Sequence, residues 1–459
     1  MMTLTVCDSV CGSGKTTAAI NYMNKNPEGK FIFITPFLEE VKRVMSACNS
    51  HECRKTEVYC GEIPLHEEDR LNDEYNMAET MPVYTEVESH LFYEPERYLG
   101  AKANGLKELL KHKCNIVTTH ALLQKFDTEI IDLVAANGYT LILDEVVDVV
   151  EPYVGVKKAD KEYLLSKLTK IGKNNVLEWI DDEYDDLGMR FSDIKRLCDL
   201  ESLTVYGKNK DLLMWTFPIK AFTCFKRILI LTYMFDAQMQ KYYFDLNGVE
   251  YTYLKACQNK DGEYVFKKID KPDHKSIDKS LVNIYKGDMN DIGNSTTALC
   301  ANWYKTSVKE NNGLIGNLQN HLVNYIRNII DAKSDDVIWT CYKEHYDALK
   351  DKGFTKAWQP MNIRACNNLR TRSTICYLVN VYPNPVISKY LKEHDVIVDS
   401  DKYALSEMIQ FLWRSCLRDG KPVNLYIPSK RMRNLLLNWL EDGSISTEDR
   451  DNESEEEIE

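Results

Sequence analysis

Residues 9–17 read Ser-Val-Cys-Gly-Ser-Gly-Lys-Thr-Thr, directly after the β-prone Leu4-Thr5-Val6 and directly before the helix-prone run from Ala18 to Met23. A strand, a glycine-bearing turn and a helix in that order leave little choice of local structure. The helix must start where the strand ends, so its unpaired N–H groups and positive dipole end converge on one anion. Gly12 and Gly14 let the backbone approach that anion, with Ser13 between them. Lys15 can reach the β- and γ-phosphates, Thr16 can hold Mg²⁺, and Thr17 follows in the first helical turn. Ser9 stands where the first glycine of a phosphate loop belongs, and a small residue still permits the turn. A nucleoside triphosphate site is therefore expected, inside an α/β framework.

Along the chain, strand-like and helix-like runs alternate, which predicts parallel sheets wrapped by helices. Strands are expected at 31–35, 115–120, 139–145 and 227–233, with helices starting near Leu38, near 105 and at Asp127. The alternation restarts after about 280 without a second phosphate loop: strands at 335–340, 374–381 and 423–427, helices at 344–352 and 401–418, and a final helix capped by Ser429. This gives a first lobe over 1–255, interrupted by insertions at about 50–105 and 151–220, and a second lobe over 256–440. Residues 441–459 carry ten acids and one Arg, which is −9 of the chain's formal charge of −12. The tail has almost nothing to bury and is expected to be disordered, either simply solvated, docking a protein partner or mimicking DNA. The rest is nearly neutral, which leaves room for local basic surfaces.

A hydrophobic content of 44% is ordinary for a water-soluble fold, and no apolar run approaches the length of a membrane span. The first twenty residues hold the phosphate loop where a signal sequence would lie, so a cytoplasmic protein is expected, in the host cytoplasm if a phage encodes it. The fourteen cysteines show no paired framework spacing and read as reduced thiols. Cys48, Cys53, Cys60 and Cys114 match no metal-ligand pattern.

Asp144-Glu145 closes an apolar strand, where a nucleotide-hydrolysing site puts its acids: one carboxylate behind Mg²⁺, the next orienting the attacking water. Acid pairs at strand ends also occur in plain solvated loops; the upstream Lys15 loop is what favours catalysis here. Gln410, Arg414 and Arg418 recur every four residues, so one continuous helix would present all three on one face. That stripe is either a polar surface or a pair of cations delivered across a cleft onto a γ-phosphoryl group.

In this order the motifs resemble those of superfamily 2 helicases and translocases, the DEAD/DEAH-like group, and especially the divergent helicase-like ATPases of bacteriophages. Motif I corresponds to Gly12–Thr16, Ia to Thr35-Pro36, Ib to Thr118-Thr119-His120 and II to Asp144-Glu145-Val146-Val147. Motif III corresponds to Leu231-Thr232-Tyr233, V to the stretch from Arg364 to Asn368, and VI to Gln410–Arg418. The resemblance covers about residues 3–440 and implies two RecA-like lobes, ATP with Mg²⁺ held by Thr16 and Asp144, and catalysis by Lys15, Asp144, Glu145, Gln410, Arg414 and Arg418. Trp413 stands at the motif VI glycine and the second arginine is displaced by one residue; Arg418 is the favoured finger. Only two residues precede the first strand, so no upstream adenine-reading glutamine motif is expected, and ATP is implied by the resemblance alone.

The resemblance also implies nucleic acid, DNA ahead of RNA, held through its backbone by Thr35, Pro36, Thr118, Thr119 and His120 from one lobe and Arg364, Asn367 and Arg372 from the other. Each of these residues has a local alternative as a cap or turn residue. Thr232 would transmit the nucleotide state, and the activity would be ATP-driven translocation or unwinding in phage DNA replication or recombination. Two rivals stand beside it: a nucleotide-gated scaffold that unwinds nothing, and a terminase-like packaging ATPase. The basic cluster Lys430, Arg431, Arg433 reads as a solvated surface or a nucleic-acid contact.

Overall fold

The computed structural model describes residues 2–10, 12–51, 60–64, 80–84, 90–181, 190–207, 212–272, 277–361 and 369–442. The expected Arg364, Asn367 and acidic tail beyond 442 lie outside the described residues, as do the side chains of Cys53 and Cys60.

The first lobe is an eight-stranded sheet of β1 (Thr3–Asp8), β2 (Phe31–Thr35), β3 (Phe92–Tyr93), β4 (Asn115–Thr119), β5 (Thr140–Asp144), β6 (Arg227–Thr232), β7 (Tyr251–Gln258) and β8 (Tyr264–Ile269). Its order is β8-β7-β1-β6-β5-β2-β4-β3. Every neighbouring pair is parallel except β7 and β8. The central strands are apolar at consecutive positions because both faces are covered. Leu4, Val6, Ile32, Ile34, Leu141, Leu143, Ile228 and Ile230 line one face. Cys7, Phe31, Phe33, Ile142, Leu229 and Leu231 line the other, against α1 (Lys15–Asn24) and α2 (Leu38–Asn49).

The second sheet comprises β9 (Val282–Ile284), β10 (Val337–Thr340), β11 (Thr374–Tyr377) and β12 (Val423–Tyr426), all parallel in the order β9-β12-β11-β10. One face packs on α3 (Ser400–Leu412) and α4 (Lys430–Asp442) through Leu405, Met408, Leu436 and Trp439. The other packs on helices Ala301–Glu310 and Leu314–Asn324 through Tyr304, Leu318 and Leu322. The fold class is thus the two-lobed α/β arrangement expected from the alternation. No helix among the described residues is long and apolar enough to cross a membrane.

Several boundaries differ from expectation. A lobe break at 255 would cut β7; the antiparallel β7–β8 hairpin extends the first sheet to Ile269, because β1 offers β7 an open parallel edge. The first insertion ends earlier than 105. Phe92–Tyr93 pairs with β4, and Leu106 and Leu110 of helix Lys102–Lys111 lie in the first lobe's core. The helix expected at 344–352 shrinks to short turns at Lys343–His345 and Tyr346–Leu349. The second insertion builds its own core of Leu164, Leu168, Leu177, Ile194, Leu197, Leu203 and Leu213.

The lobes exchange side chains. Tyr233, Met234 and Ala237, just past β6, enter the second lobe's core, where the rings of Tyr233 and Trp413 lie 6.3 Å apart. In return Ile387, Tyr390 and Leu391 of helix Pro385–Lys392 are buried in the first lobe's core.

Candidate nucleotide site

The phosphate loop leaves β1 at Asp8 and enters α1 at Lys15. Gly12 and Gly14 sit at φ +89° and +85°, left-handed conformations that cost a glycine nothing. The structure explains the serine at position 9. Pairing between β1 and β7 ends at Cys7–Leu254, and beyond it the Ser9 hydroxyl accepts the Ala256 backbone N–H at 3.1 Å. A glycine there would leave that donor without its protein partner. The Asp8 carboxylate accepts the N–H groups of Met234 and Phe235, each at 2.9 Å, which ties the loop's start to the segment that enters the second lobe. Lys15 is buried and donates to the carbonyls of Ser9 (2.5 Å) and Val10 (3.2 Å). The Ser13 hydroxyl is buried with no hydrogen-bond partner among the described residues.

Asp144 lies at the carboxyl end of β5, buried behind the loop. Burial, then the Glu145 and Glu40 carboxylates, push its carboxyl up from 3.8 to about 7, while Lys15 and Arg43 pull the other way. Thr35 Oγ1 donates to Asp144 Oδ2 at 3.4 Å, and His120 Nε2 meets the Asp144 carbonyl at 2.9 Å. Glu145 follows in a left-handed conformation, φ +65°, with its N–H held by the Leu231 carbonyl at 2.9 Å. A non-glycine residue at positive φ is strained, and here the strain turns the second acid out of the strand direction. Glu40 and Arg43 had no motif to mark them. Their only signal is an i,i+3 acid–base pair in the helix after Thr35, with Arg43 Nε donating to both Glu40 oxygens at 2.9 Å.

The expected single helix through Arg418 is not formed. α3 ends at Leu412, and residues 416–419 form a separate 3₁₀ turn. Ser415 makes the break: its hydroxyl donates to the Leu412 carbonyl at 2.7 Å and accepts the Leu417 N–H at 3.3 Å, satisfying backbone groups on both sides. Gln410, Arg414 and Arg418 therefore do not share one helical face, and Gln410 donates to Ser406 within α3. The break nevertheless carries Arg418 onto the phosphate loop. A Cβ added at Gly12 would stand 3.3 Å from Arg418 Nε and 3.6 Å from its Cγ. Arg414 is only 9% exposed and its Nε is buried without a hydrogen-bond partner among the described residues.

Among the described residues the buried Ser13 hydroxyl and the buried Arg414 Nε both lack a partner, and each is a donor that calls for an acceptor. The Thr16 hydroxyl, in the first turn of α1, and the Asp144 carboxylate, at the end of β5, are hard oxygen groups of the kind that could hold Mg²⁺.

The expected nucleic-acid residues divide. Thr35 is fully buried and points to Asp144, and Thr118 is also buried, so neither is exposed to a strand. Pro36, Thr119 and His120 remain partly exposed. Beyond Pro36, Phe37 and Leu38 are 40% and 53% exposed, an apolar tip that no sequence motif marks. Arg372 is used internally, with Nη1 donating to the carbonyls of Ser334 and Val337. Arg431 and Arg433 are likewise internal: Arg431 binds Asp401, Asn380, Val381 and Ser400, and Arg433 binds the carbonyls of Ile427 and Pro428. Thr232 is buried, its carbonyl accepting Ser9 N–H at 3.0 Å and its hydroxyl accepting from Gln238 at 3.3 Å.

Comparison with solved structures finds a chain titled "XPD_Helicase", TM-score 0.43 and 13% identity with 95% of each chain covered, and the S. tokodaii Xpd4 structure, TM-score 0.46 and 11% identity with 95% and 93% covered. A family model described as "YonV C-terminal Rossmann-like domain" matches residues 276–440. The "SPbeta prophage-derived uncharacterized protein YonV" of Bacillus subtilis (strain 168) is 35% identical over 450 residues, covering 95% of this chain and 98% of that protein. On this near-complete, collinear match, the chain belongs to the YonV family.

Proposed function

We propose that the chain is a nucleic-acid-dependent ATPase of helicase type, in which hydrolysis at the phosphate loop changes the grip of two lobes on a strand. The observation that carries this reading is Arg418 of the second lobe lying against Gly12 of the first. A site built across two lobes responds to whether a γ-phosphate is present, because that phosphate would attract Arg418 and Arg414 as well as the loop.

In this reading the α1 N-terminus and Lys15 hold the β- and γ-phosphates, with Lys15 leaving the Ser9 and Val10 carbonyls to do so. Mg²⁺, held by Thr16 and Asp144, would supply charge neutralisation. Glu145 orients the attacking water, and Arg418 and Arg414 stabilise charge that develops on the transferred group. Nucleic acid meets the first lobe at Pro36, Phe37, Thr119 and His120, where exposed apolar groups suit base stacking. His120 is bonded to the Asp144 carbonyl, so a strand that moves His120 also moves the catalytic acids. Thr232, between the Ser9 N–H and Gln238, relays the state of the loop toward the lobe junction.

ATP turnover by the purified chain, alone and with single-stranded DNA, duplex DNA or RNA, tests the proposal. Hydrolysis should be lost in Lys15→Ala and stimulated by at least one nucleic acid, DNA first. Turnover unchanged in Lys15→Ala would reject the site, and no stimulation by any nucleic acid would reject the motor.

A further inference from the structure

We infer that Tyr264, on the β7–β8 hairpin, is the platform on which the nucleotide's base stacks. The inference deepens the proposed ATPase function and rests on it.

The sheet order sets the direction of the nucleotide. β5, which delivers Asp144 and Glu145, lies two strands to one side of β1, and β7 with β8 lies on the other. The reacting γ end must face the acids and Arg418, so the nucleoside end leaves the loop toward the hairpin. The two loop glycines mark these two directions. Arg418 flanks Gly12, while a Cβ at Gly14 would collide with Cδ1, Cε1 and Cγ of the Tyr264 ring. An aromatic ring thus stands directly beside the residue from which α1 starts.

The strand that carries the ring is tied to α1 and to its own turn by polar contacts. Asn21 of α1 donates its side-chain amide to the Tyr264 carbonyl at 3.0 Å, and Lys25 of α1 pairs with Glu263 at 2.6 Å. The hairpin tip is pinned by Asn259, whose side-chain oxygen accepts the N–H groups of Asp261 and Glu263 at 2.9 Å each, with Gly262 at φ +79°. Tyr264 itself is half-buried. A platform fixed before binding loses little entropy when a base stacks on it. Every nucleobase presents a π face, so the contact favours a base without selecting which one.

The test is equilibrium binding of ATP and of inorganic tripolyphosphate, each with Mg²⁺, to the full chain as wild type, Tyr264→Phe and Tyr264→Ala. Tyr264→Ala should weaken ATP by about tenfold, the loss expected for one aromatic–base stack, with tripolyphosphate binding unchanged. Tyr264→Phe should keep the wild-type affinity for both. Equal weakening of both ligands, or no weakening of ATP, overturns the inference. An arm that needs no variant is photolabelling of wild type with an azidoadenine analogue of ATP, which should mark a peptide containing Tyr264; labelling only elsewhere overturns it. Wild type that binds neither ligand would bring down the ATPase reading and the platform with it. Wild type that binds tripolyphosphate as tightly as ATP would sink the platform alone.

Discussion

Replacing Asp144 by Asn should stabilise the metal-free protein at pH 8 and change it little at pH 5. The native carboxyl is held at about 7 instead of 3.8, chiefly by burial and then by the carboxylates of Glu145 and Glu40. An acid whose value is raised on folding binds its proton more tightly in the native state. Its stabilising effect is complete below about 3.8 and is lost as the pH rises through about 7. Above that, the native state carries an ionised carboxylate in a site only 9% exposed. At about 1.4 kcal/mol per pH unit between the two values, the burden is about 4–5 kcal/mol. An Asn amide has its own desolvation cost, so the expected gain is smaller, about 2–3 kcal/mol. Urea unfolding of wild type and Asp144→Asn at both pH values, in chelator and without nucleotide, gives the comparison. A gap of equal size at pH 5 and pH 8, or a less stable variant at pH 8, would refute the reasoning. Either result would mean that Lys15 and Arg43 already neutralise the carboxylate. Adding ATP with Mg²⁺ should reverse the order, since only the wild-type carboxylate can then be repaid by a ligand.

Arg418→Ala should lower ATP turnover by at least about 100-fold while changing nucleotide affinity far less, as expected for a group that acts on transition-state charge; equal losses in rate and affinity would argue against that role. In helix Leu314–Asn324, Gly316 has a normal φ and open space where a Cβ would go, so Gly316→Ala should raise the unfolding free energy by about 0.5–1 kcal/mol without affecting turnover. Thermal denaturation measures the second effect, and a loss of stability would show that the helix is not limited by its backbone entropy.

The elements legible in the sequence were those written in short-range chemistry. Five consecutive buried residues from Phe31 to Thr35 can only be a strand covered on both sides, and Asp127 caps the helix that starts beside it by accepting the Ile130 N–H. The loop from Ser9 to Lys15 was legible for the same reason, because its turn follows from the glycines at 12 and 14. Periodicity failed at Ser415, where a single hydroxyl ends one helix and begins another turn against a run of helix-compatible residues. It also could not tell Thr35 as a strand contact from Thr35 as a partner of Asp144, since both are threonines at the end of a strand.

By itself the sequence determined that a glycine-bearing turn joins strand to helix at residues 9–17 of an α/β chain and which charged residues flank it, since strand, turn and helix preferences act between neighbours. Only the tertiary structure decided which side chains share the site. Arg418 against Gly12, Tyr264 against Gly14, and Glu40 with Arg43 near Asp144 come together through sheet order and lobe packing. Those contacts join residues far apart in the chain, and no local rule encodes the pairing of surfaces that forms them.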